Sequence, residues 1–527
     1  MQTVSPSGPL YVHRLRFTRL TTVLAFVLAC IFVLSGCTSS AEVVDKDKGI
    51  AAEQPNIIWL MSEDISTDLG CYGFPDVRTP NLDALAAQGV RFENAFVTNP
   101  ICSPSRSAMM VGAHQVKTNT HHHRSNREVP LSAPYVPFTK LLRDVGYTTV
   151  LGHHGVRGKG RKTDVNFKHK PIGPWDGTTE FGLFDKFDTF TAADQPFFAQ
   201  IQLNVTHRGD WWEEVSQQAA DRHDPAEVTL PEYMADDPVV RKDWARYLDQ
   251  LEYMDGEVAM IRQELEEKGL ADNTIIIFIG DNGRCNIRGK GYLNDPGLHI
   301  PLIIYDPRSS GARAQVRSEV VSATDITASV LQYAGAELPA FLTGQPLQSE
   351  GFDREYVYAA RDLWDEIDEK SRAIVSKDWK YIRNDMPDVP YDAHQAYLEF
   401  YRPAVQAMRK LNEAGKLTPV QALFFQPNKP AEEFYDLAND PDELNNLANQ
   451  PEYAEQLDQF RRRAERYDRE MAPVSDVYNP VHASAVDVLN HIKTKHPDLH
   501  QQMLDGEEIG YKKAANLYKE YKKKSDD

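Results

Sequence analysis

Residues 56–64 read "NIIWLMSED", and residues 274–282 read "TIIIFIGDN". Each is an unbroken apolar run that stops abruptly at polar and acidic residues. Runs that are apolar at every position suit strands buried on both faces, as in a parallel sheet. In open α/β sheets, ligands sit beyond the carboxyl ends of the strands. Two such strands, each ending in acids, therefore predict one metal site built from two distant segments of chain.

Helices alternate with these strands. In "TPNLDALAAQG", Thr79 stands at the N-cap, Pro80 at the first helical position and Gly89 past the end. Leu251, Met254, Val258, Ile261 and Leu265 recur at 3-4-3-4 spacing, with Gly269 as the stop. "YTTVL" and "PFFAQIQLNV" read as further strands, the second running into Thr206-His207. The pattern is α/β with a mainly parallel central sheet flanked by helices. The texture changes at "GAELPAFLTGQPLQSEG", residues 335–351. Beyond it, "YVYAAR", "RAIVSKDWKYIRN" and "EEFYDLANDPDELNNLA" predict a smaller C-terminal α+β subdomain. The terminal "YKKAANLYKEYKKKSDD" reads as a charged helix or tail, and no internal repeat is evident.

The formal net charge of -19 excludes nucleic acid as a partner. An anionic substrate would need a locally basic or metal-containing cleft. The N-terminus reads as a targeting segment: Arg14, Arg16 and Arg19 precede the apolar "LTTVLAFVLACIFVLSG". The "LSGC" that ends it, Leu34 to Cys37, resembles the bacterial lipobox. That resemblance implies cleavage before Cys37, lipidation of its thiol and, with Thr38 following, anchoring at the outer membrane of a Gram-negative bacterium. The alternative is an ordinary secretory signal. The expected organisation is a signal peptide at 1–36, a polar tether at 37–54, a catalytic domain at 55–340 and the C-terminal subdomain at 341–527. Of the five cysteines, Cys71, Cys102 and Cys285 lie in the mature domains. Cys71 and Cys285 could pair, which leaves Cys102 as an odd thiol.

Cys102 lies in "NPICSPSRSAMMVGAH", Asn99 to His114. Pro104 suits the first turn of a helix and Ser103 its cap. A helix mouth favours an anion, and a thiol there could be a nucleophile of low pKa. A cysteine nucleophile needs a base partner, however, and the neighbouring acids suggest other chemistry. "CSPSRSAMMVG" resembles the C-x-P-S-R signature of the type I sulfatases, members of the alkaline phosphatase superfamily. In that family a maturation enzyme oxidises the cysteine to formylglycine. The likeness runs from about Pro55 to about residue 510, with "GYTTV", "GDNG" and "EEFYDLANDPDELNNLA" following in order. The layout also resembles bacterial sulfatases near the N-sulfoglucosamine sulfohydrolases.

The resemblance implies roles residue by residue. Glu63, Asp64, Asp281 and Asn282 would hold calcium together with the modified residue 102, an oxygen-rich set of the kind calcium favours. Glu63 departs from the aspartate usual there. Arg106 would orient residue 102, and Lys290 would contact the sulfate. His207 would protonate the departing oxygen. A second sulfate-binding lysine is expected after "GYTTV". Lys162 in "KTDVNF" is the choice and Lys159 the alternate. Asp164 stands where the family has a histidine that helps deprotonate residue 102. His153, His154, His122 or His123 could take over that step, or "HHHRS" could be a polar loop or part of a sugar subsite. In "AARDLWDEIDEKSR", Arg361, Asp362, Asp365, Glu366 and Arg372 would contact the sugar, or else form a salt-bridged helix. Trp175, Trp211 and Trp212 would stack on sugar rings or belong to the core.

The implied reaction is hydrolysis of sulfate esters on a sulfated carbohydrate, such as ulvan or glycosaminoglycan fragments. The implied partners are that saccharide, the maturation enzyme and a membrane through the lipid anchor. The alternatives are a phosphonate monoester hydrolase or phosphodiesterase of the same superfamily, or a lipoprotein that binds sulfated glycans without catalysis.

Overall fold

The computed structural model describes residues 54–505 except 177–180, 210, 310–313, 366, 394–398, 400 and 475–490, and beyond 505 a few isolated positions. The signal, the Cys37 lipidation site, Glu366 and most of the basic tail lie outside the described residues. Among the described residues, no helix is long and apolar enough to cross a membrane. Residues Gln54–Asp527 form one compact unit.

The strands in chain order are β1 (Asn56–Ser62), β2 (Val90–Phe96), β3 (Thr148–Leu151), β4 (Lys170–Ile172), β5 (Gly182–Phe184), β6 (Lys186–Phe187), β7 (Phe197–Leu203), β8 (Thr274–Gly280), β9 (Leu302–Tyr305) and β10 (Gln315–Ser322). Eight of them build the main sheet in the order β10-β2-β9-β8-β1-β7-β3-β6, and β4 and β5 pair separately. Every pairing in the main sheet is parallel except those of β9, which runs antiparallel to β2 and β8. This matches the architecture expected from the sequence.

The unbroken apolar runs are explained by two cores, one on each face of the sheet. Ile58 and Leu60 of β1 pack into one, while Ile57, Trp59 and Met61 pack into the other. A helix from Pro238 to Glu267 covers the first face with Leu251, Met254, Val258, Ile261 and Leu265, all buried. Helix α1 (Pro80–Gln88) begins after Thr79 and ends at Gly89, as expected. The tryptophans divide. Trp212 is fully buried in the core and donates to the His207 carbonyl, Trp211 donates to the Val205 carbonyl, and Trp175 packs on Phe181.

The C-terminal part forms an antiparallel sheet of β11 (Val357–Arg361), β12 (Ser371–Val375), β13 (Trp379–Asn384) and β14 (Glu432–Asp436) in sequential order. Its first strand clasps the segment that leads to Cys102. The Ala360 N–H donates to the Thr98 carbonyl at 2.9 Å, and Asn99 donates to the Ala360 carbonyl at 2.7 Å. The "AARDLWDEIDEKSR" segment is not a helix. Its ends belong to β11 and β12, and the connection between them is narrowed by a bridge between Trp364 and Ile367.

Cys71 and Cys285 are both free thiols. Another buried group sets a pH limit on the fold. Glu257 is buried and accepts the Arg157 N–H at 2.6 Å, and burial pushes its pKa up from 4.5 to about 7. The folded chain holds a proton there that the unfolded chain releases, so stability falls as pH rises through this window. Glu257→Gln keeps an acceptor and removes the charge. Its calorimetric midpoint is expected to exceed that of the wild type at about pH 8 and to converge with it by about pH 4. An equal shift at both would contradict this assignment.

Candidate active site

β1, β7 and β8 end level, because Ser62 pairs in register with both Leu203 and Gly280. The residues that follow are Glu63-Asp64, the Asn204–His207 turn and Asp281-Asn282. Three separate segments therefore deliver acids and a histidine to one edge of the sheet. Backbone bonds pin them. The Asp281 N–H donates to Ser62 at 2.9 Å, Glu63 to Leu203 at 3.2 Å and Ile65 to Asn282 at 3.1 Å. Asp64 adopts a left-handed φ of 49°, and its N–H donates to Asp281 Oδ1 at 3.1 Å.

Helix α2 (Cys102–Val111) brings in the thiol. The expected cap is shifted. Cys102 itself is the first helical residue, Ile101 holds the cap position and Pro104 sits in the first turn. Ser103 lies inside the helix, where its hydroxyl meets His123 Nδ1 at 2.8 Å instead of capping. Gly112 ends the helix at a φ of 71°, and a Cβ there would lie 2.6 Å from Leu342. Cys102 is 1% exposed, and its Sγ lies 3.8 Å from Asp64 Oδ1. Donor atoms of Glu63, Cys102 and His207 fall within 4.8 Å of one another. One turn on, Arg106 donates from Nε to Asp281 Oδ2 at 2.9 Å and binds Gln202 Oε1 and the Lys162 carbonyl.

Two lysines close the cluster. Lys290 donates to both oxygens of Asp64, at 2.8 and 3.0 Å. It is held by Gly291, whose φ of 96° and close approach to Trp364 leave no room for a Cβ. Lys162 pairs with Glu63, whereas Lys159 is exposed. The "KTDVN" segment is tied to α2 through Asn166, whose N–H donates to Ser107 Oγ at 2.8 Å.

These neighbours set the protonation states. Burial alone would raise the Asp64 pKa, but Lys290, His207 and Lys162 hold it well below the usual carboxylate range. Burial raises Asp281, with Arg106 opposing. Burial pushes the Cys102 thiol up to about 12, against the pull of Lys290 and Lys162. Burial, then Lys290, brings His207 down to about 3. Its Nδ1–H donates to the Arg208 carbonyl at 2.9 Å, so Nε2 is the nitrogen that faces Glu63, at 3.8 Å.

The groups considered as substitutes for a base lie elsewhere or are committed. His153 and His154 stack on each other and face Glu264, at 2.9 and 3.6 Å. His122 packs against His121. His123 sits between Ser103 and Asp365, 3.5 Å from the latter. Burial raises Asp164, yet Lys162, Arg124 and Arg127 around it hold its pKa well below normal. The expected sugar contacts are largely occupied as well. Arg361 pairs with Glu369 at 2.9 Å and Arg372 with Asp362 at 3.0 Å, all four buried, while Asp365 keeps 28% of its side chain exposed.

A divalent cation fits this arrangement. Asn282 Oδ1 is buried and has no hydrogen-bond donor among the described residues. It stands with the carboxylates of Glu63, Asp64 and Asp281, an all-oxygen set suited to a hard cation. Two members of the site were not read from the sequence. Gln200 and Gln202 lie on β7, where Gln200 donates to the Lys162 carbonyl at 3.0 Å and Gln202 receives Arg106. Two amides inside a wholly buried strand were the signal.

The comparisons with known proteins agree with this geometry. The sulfatase family model matches residues 55–336. An ulvan-active sulfatase of Formosa agariphila is 30% identical over 504 residues, covering 86% of this chain and 82% of that protein. Human N-sulphoglucosamine sulphohydrolase is 24% identical over 460 residues, covering 78% of this chain and 90% of its own. The solved phosphonate monoester hydrolase of Agrobacterium radiobacter shares the fold, with a TM-score of 0.55 at 17% identity over 79% of this chain and 96% of that one. With more than half of its length matched to the family model, the chain belongs to the sulfatases and is a sulfuric ester hydrolase.

Proposed function

We propose that the chain removes sulfate from a sulfated saccharide, with residue 102 converted from cysteine to formylglycine and calcium held by Glu63, Asp64, Asp281 and Asn282. The observation that carries this reading is the meeting of α2 with the ends of β1, β7 and β8, which brings Cys102 against three acids, two lysines and His207. A buried thiol pushed up to about 12 is the opposite of what a thiolate nucleophile requires, which favours conversion of the side chain. Hydrated, the aldehyde would supply both the attacking oxygen and the means of expelling sulfate, and calcium held by Glu63, Asp64, Asp281 and Asn282 would make that oxygen more acidic.

The chain's own residues supply the rest. Lys162 and Lys290, which reach the acids that would hold the cation, are placed to neutralise the sulfuryl oxygens. The anion between them would offset two of the charges that add to burial in depressing His207, whose Nε2 is the nitrogen placed to hand a proton to the departing sugar oxygen. Arg106 keeps Asp281 in place. Asp164, held as a stable carboxylate, is a poor base and serves to anchor Lys162 at 3.6 Å.

The names of the two relatives point to ulvan or glycosaminoglycan fragments as the substrate class. Export as a lipoprotein through Cys37 to the outer membrane would put the enzyme where such fragments arrive, and a formylglycine-generating enzyme would be its maturation partner. One preparation assayed with sulfated ulvan and glycosaminoglycan oligosaccharides, an aryl sulfate and a phosphonate monoester tests the reading. The highest kcat/KM is expected for a sulfated saccharide. A preference for the phosphonate would overturn the proposal. Lys162→Ala is expected to lower kcat/KM roughly 10²- to 10³-fold, and Lys159→Ala to leave it near wild type. The reverse order would reassign the second lysine.

A further inference from the structure

A chain of ion pairs leads outward from the catalytic cluster. Glu63 pairs with Lys162, Lys162 lies 3.6 Å from Asp164, and Asp164 meets Arg127 and, at 3.9 Å, Arg124. Its inner members are largely covered, with 3% of the Glu63 side chain and 9% of the Asp164 side chain exposed, whereas Arg127 is 42% and Arg124 50% exposed. The two guanidiniums are thus the solvent-facing end of a network whose inner end is the reaction centre. Their loop is fixed to that centre. The Arg124 N–H donates to Ser103 Oγ at 3.0 Å, one residue from Cys102, and Arg124 adopts a left-handed φ of 54°.

The cations first expected to read the sugar are turned inward, Arg361 to Glu369 and Arg372 to Asp362. A protein with a formal charge of -19 repels a polyanion at long range, so recognition must come from local cations at the mouth of the site. Guanidinium groups are suited to this because their planar forks match carboxylate and sulfate oxygens. We propose that Arg124 and Arg127 form a subsite that selects saccharides bearing a second anionic group, a carboxylate or another sulfate, beside the scissile sulfate. This rests on the sulfatase reading above. Asp164 binds the Arg127 fork directly and lies 3.9 Å from Arg124.

The test uses three saccharides of one backbone. One is neutral apart from the scissile sulfate, one also carries a uronate and one also carries a second sulfate. The quantity read is the ratio of kcat/KM for each charged saccharide to that for the neutral one. The ratio is internal to each preparation, so partial misfolding of a variant does not move it. The wild type is expected to prefer one charged saccharide, which identifies the group recognised. In Arg124→Gln/Arg127→Gln that ratio is expected to fall by roughly tenfold or more, chiefly through KM. Arg124→Lys should retain part of it. A wild type without the preference, or variants with an unchanged ratio, would overturn the subsite. Failure of fully converted wild type to hydrolyse any of the three would instead sink the saccharide reading of the proposed function.

Discussion

Cys102→Ala and Cys102→Ser are each expected to abolish turnover, a fall of roughly 10⁴-fold or more. The serine variant is the more telling. Residue 102 is 1% exposed at the start of a fully buried helix, so an isosteric change leaves the packing of α2 intact. Serine offers one oxygen for attack on sulfur. It has no second oxygen on the same carbon to expel the sulfate, so even a successful first step stops there. Lys162, Lys290 and Arg106 are untouched, and saccharide binding is expected to survive. Calorimetric titration with a sulfated oligosaccharide beside steady-state kinetics separates the two effects. A serine variant that turns over at a rate near wild type would remove residue 102 from the chemistry.

Removal of divalent cations is expected to have the next largest effect, a loss of about 10²- to 10³-fold that calcium restores. The reason lies in where the lysines go. Lys290 donates to both oxygens of Asp64 and Lys162 pairs with Glu63, so each lysine reaches an acid that would hold the cation, and a cation on those acids would leave both ammonium groups to the sulfuryl oxygens. A cation that binds only the folded chain also stabilises it, by about 2.7 kcal/mol at a hundredfold excess over Kd. Chelation should therefore lower both turnover and the thermal midpoint, and calcium should recover both. Full activity in protein shown by elemental analysis to carry no divalent metal would contradict the assignment of Glu63, Asp64, Asp281 and Asn282.

Much of this site was legible because its parts sit where chain geometry is simplest. Strands β1 and β8 could be recognised from composition alone, and the acids at their ends were placed together by parallel pairing. The capping reading of Ser103 failed because a free hydroxyl beside a helix start has more than one way to be satisfied. Here His123, 20 residues on, takes it. Arg361 and Arg372 were read, through the resemblance, as sugar contacts or else as members of a salt-bridged helix; their partners Glu369 and Asp362 come close where β11 and β12 pair, so the salt bridges form without the helix. Gln200 and Gln202 went unread for a related reason. An amide in an apolar strand gains meaning only once Arg106 and Lys162 arrive from elsewhere in the chain. Asp164 shows the same dependence, since its three cationic neighbours come from two different loops.

The reactive group proposed for this site is a buried cysteine converted to an aldehyde. Mass spectrometry of the peptide containing residue 102, from protein produced with a formylglycine-generating enzyme and assayed for sulfate release, tests it most directly. Residue 102 is expected to have lost one sulfur and two hydrogens and gained one oxygen, with turnover proportional to the converted fraction across preparations. Undiminished sulfate release from protein in which residue 102 is wholly cysteine would contradict it.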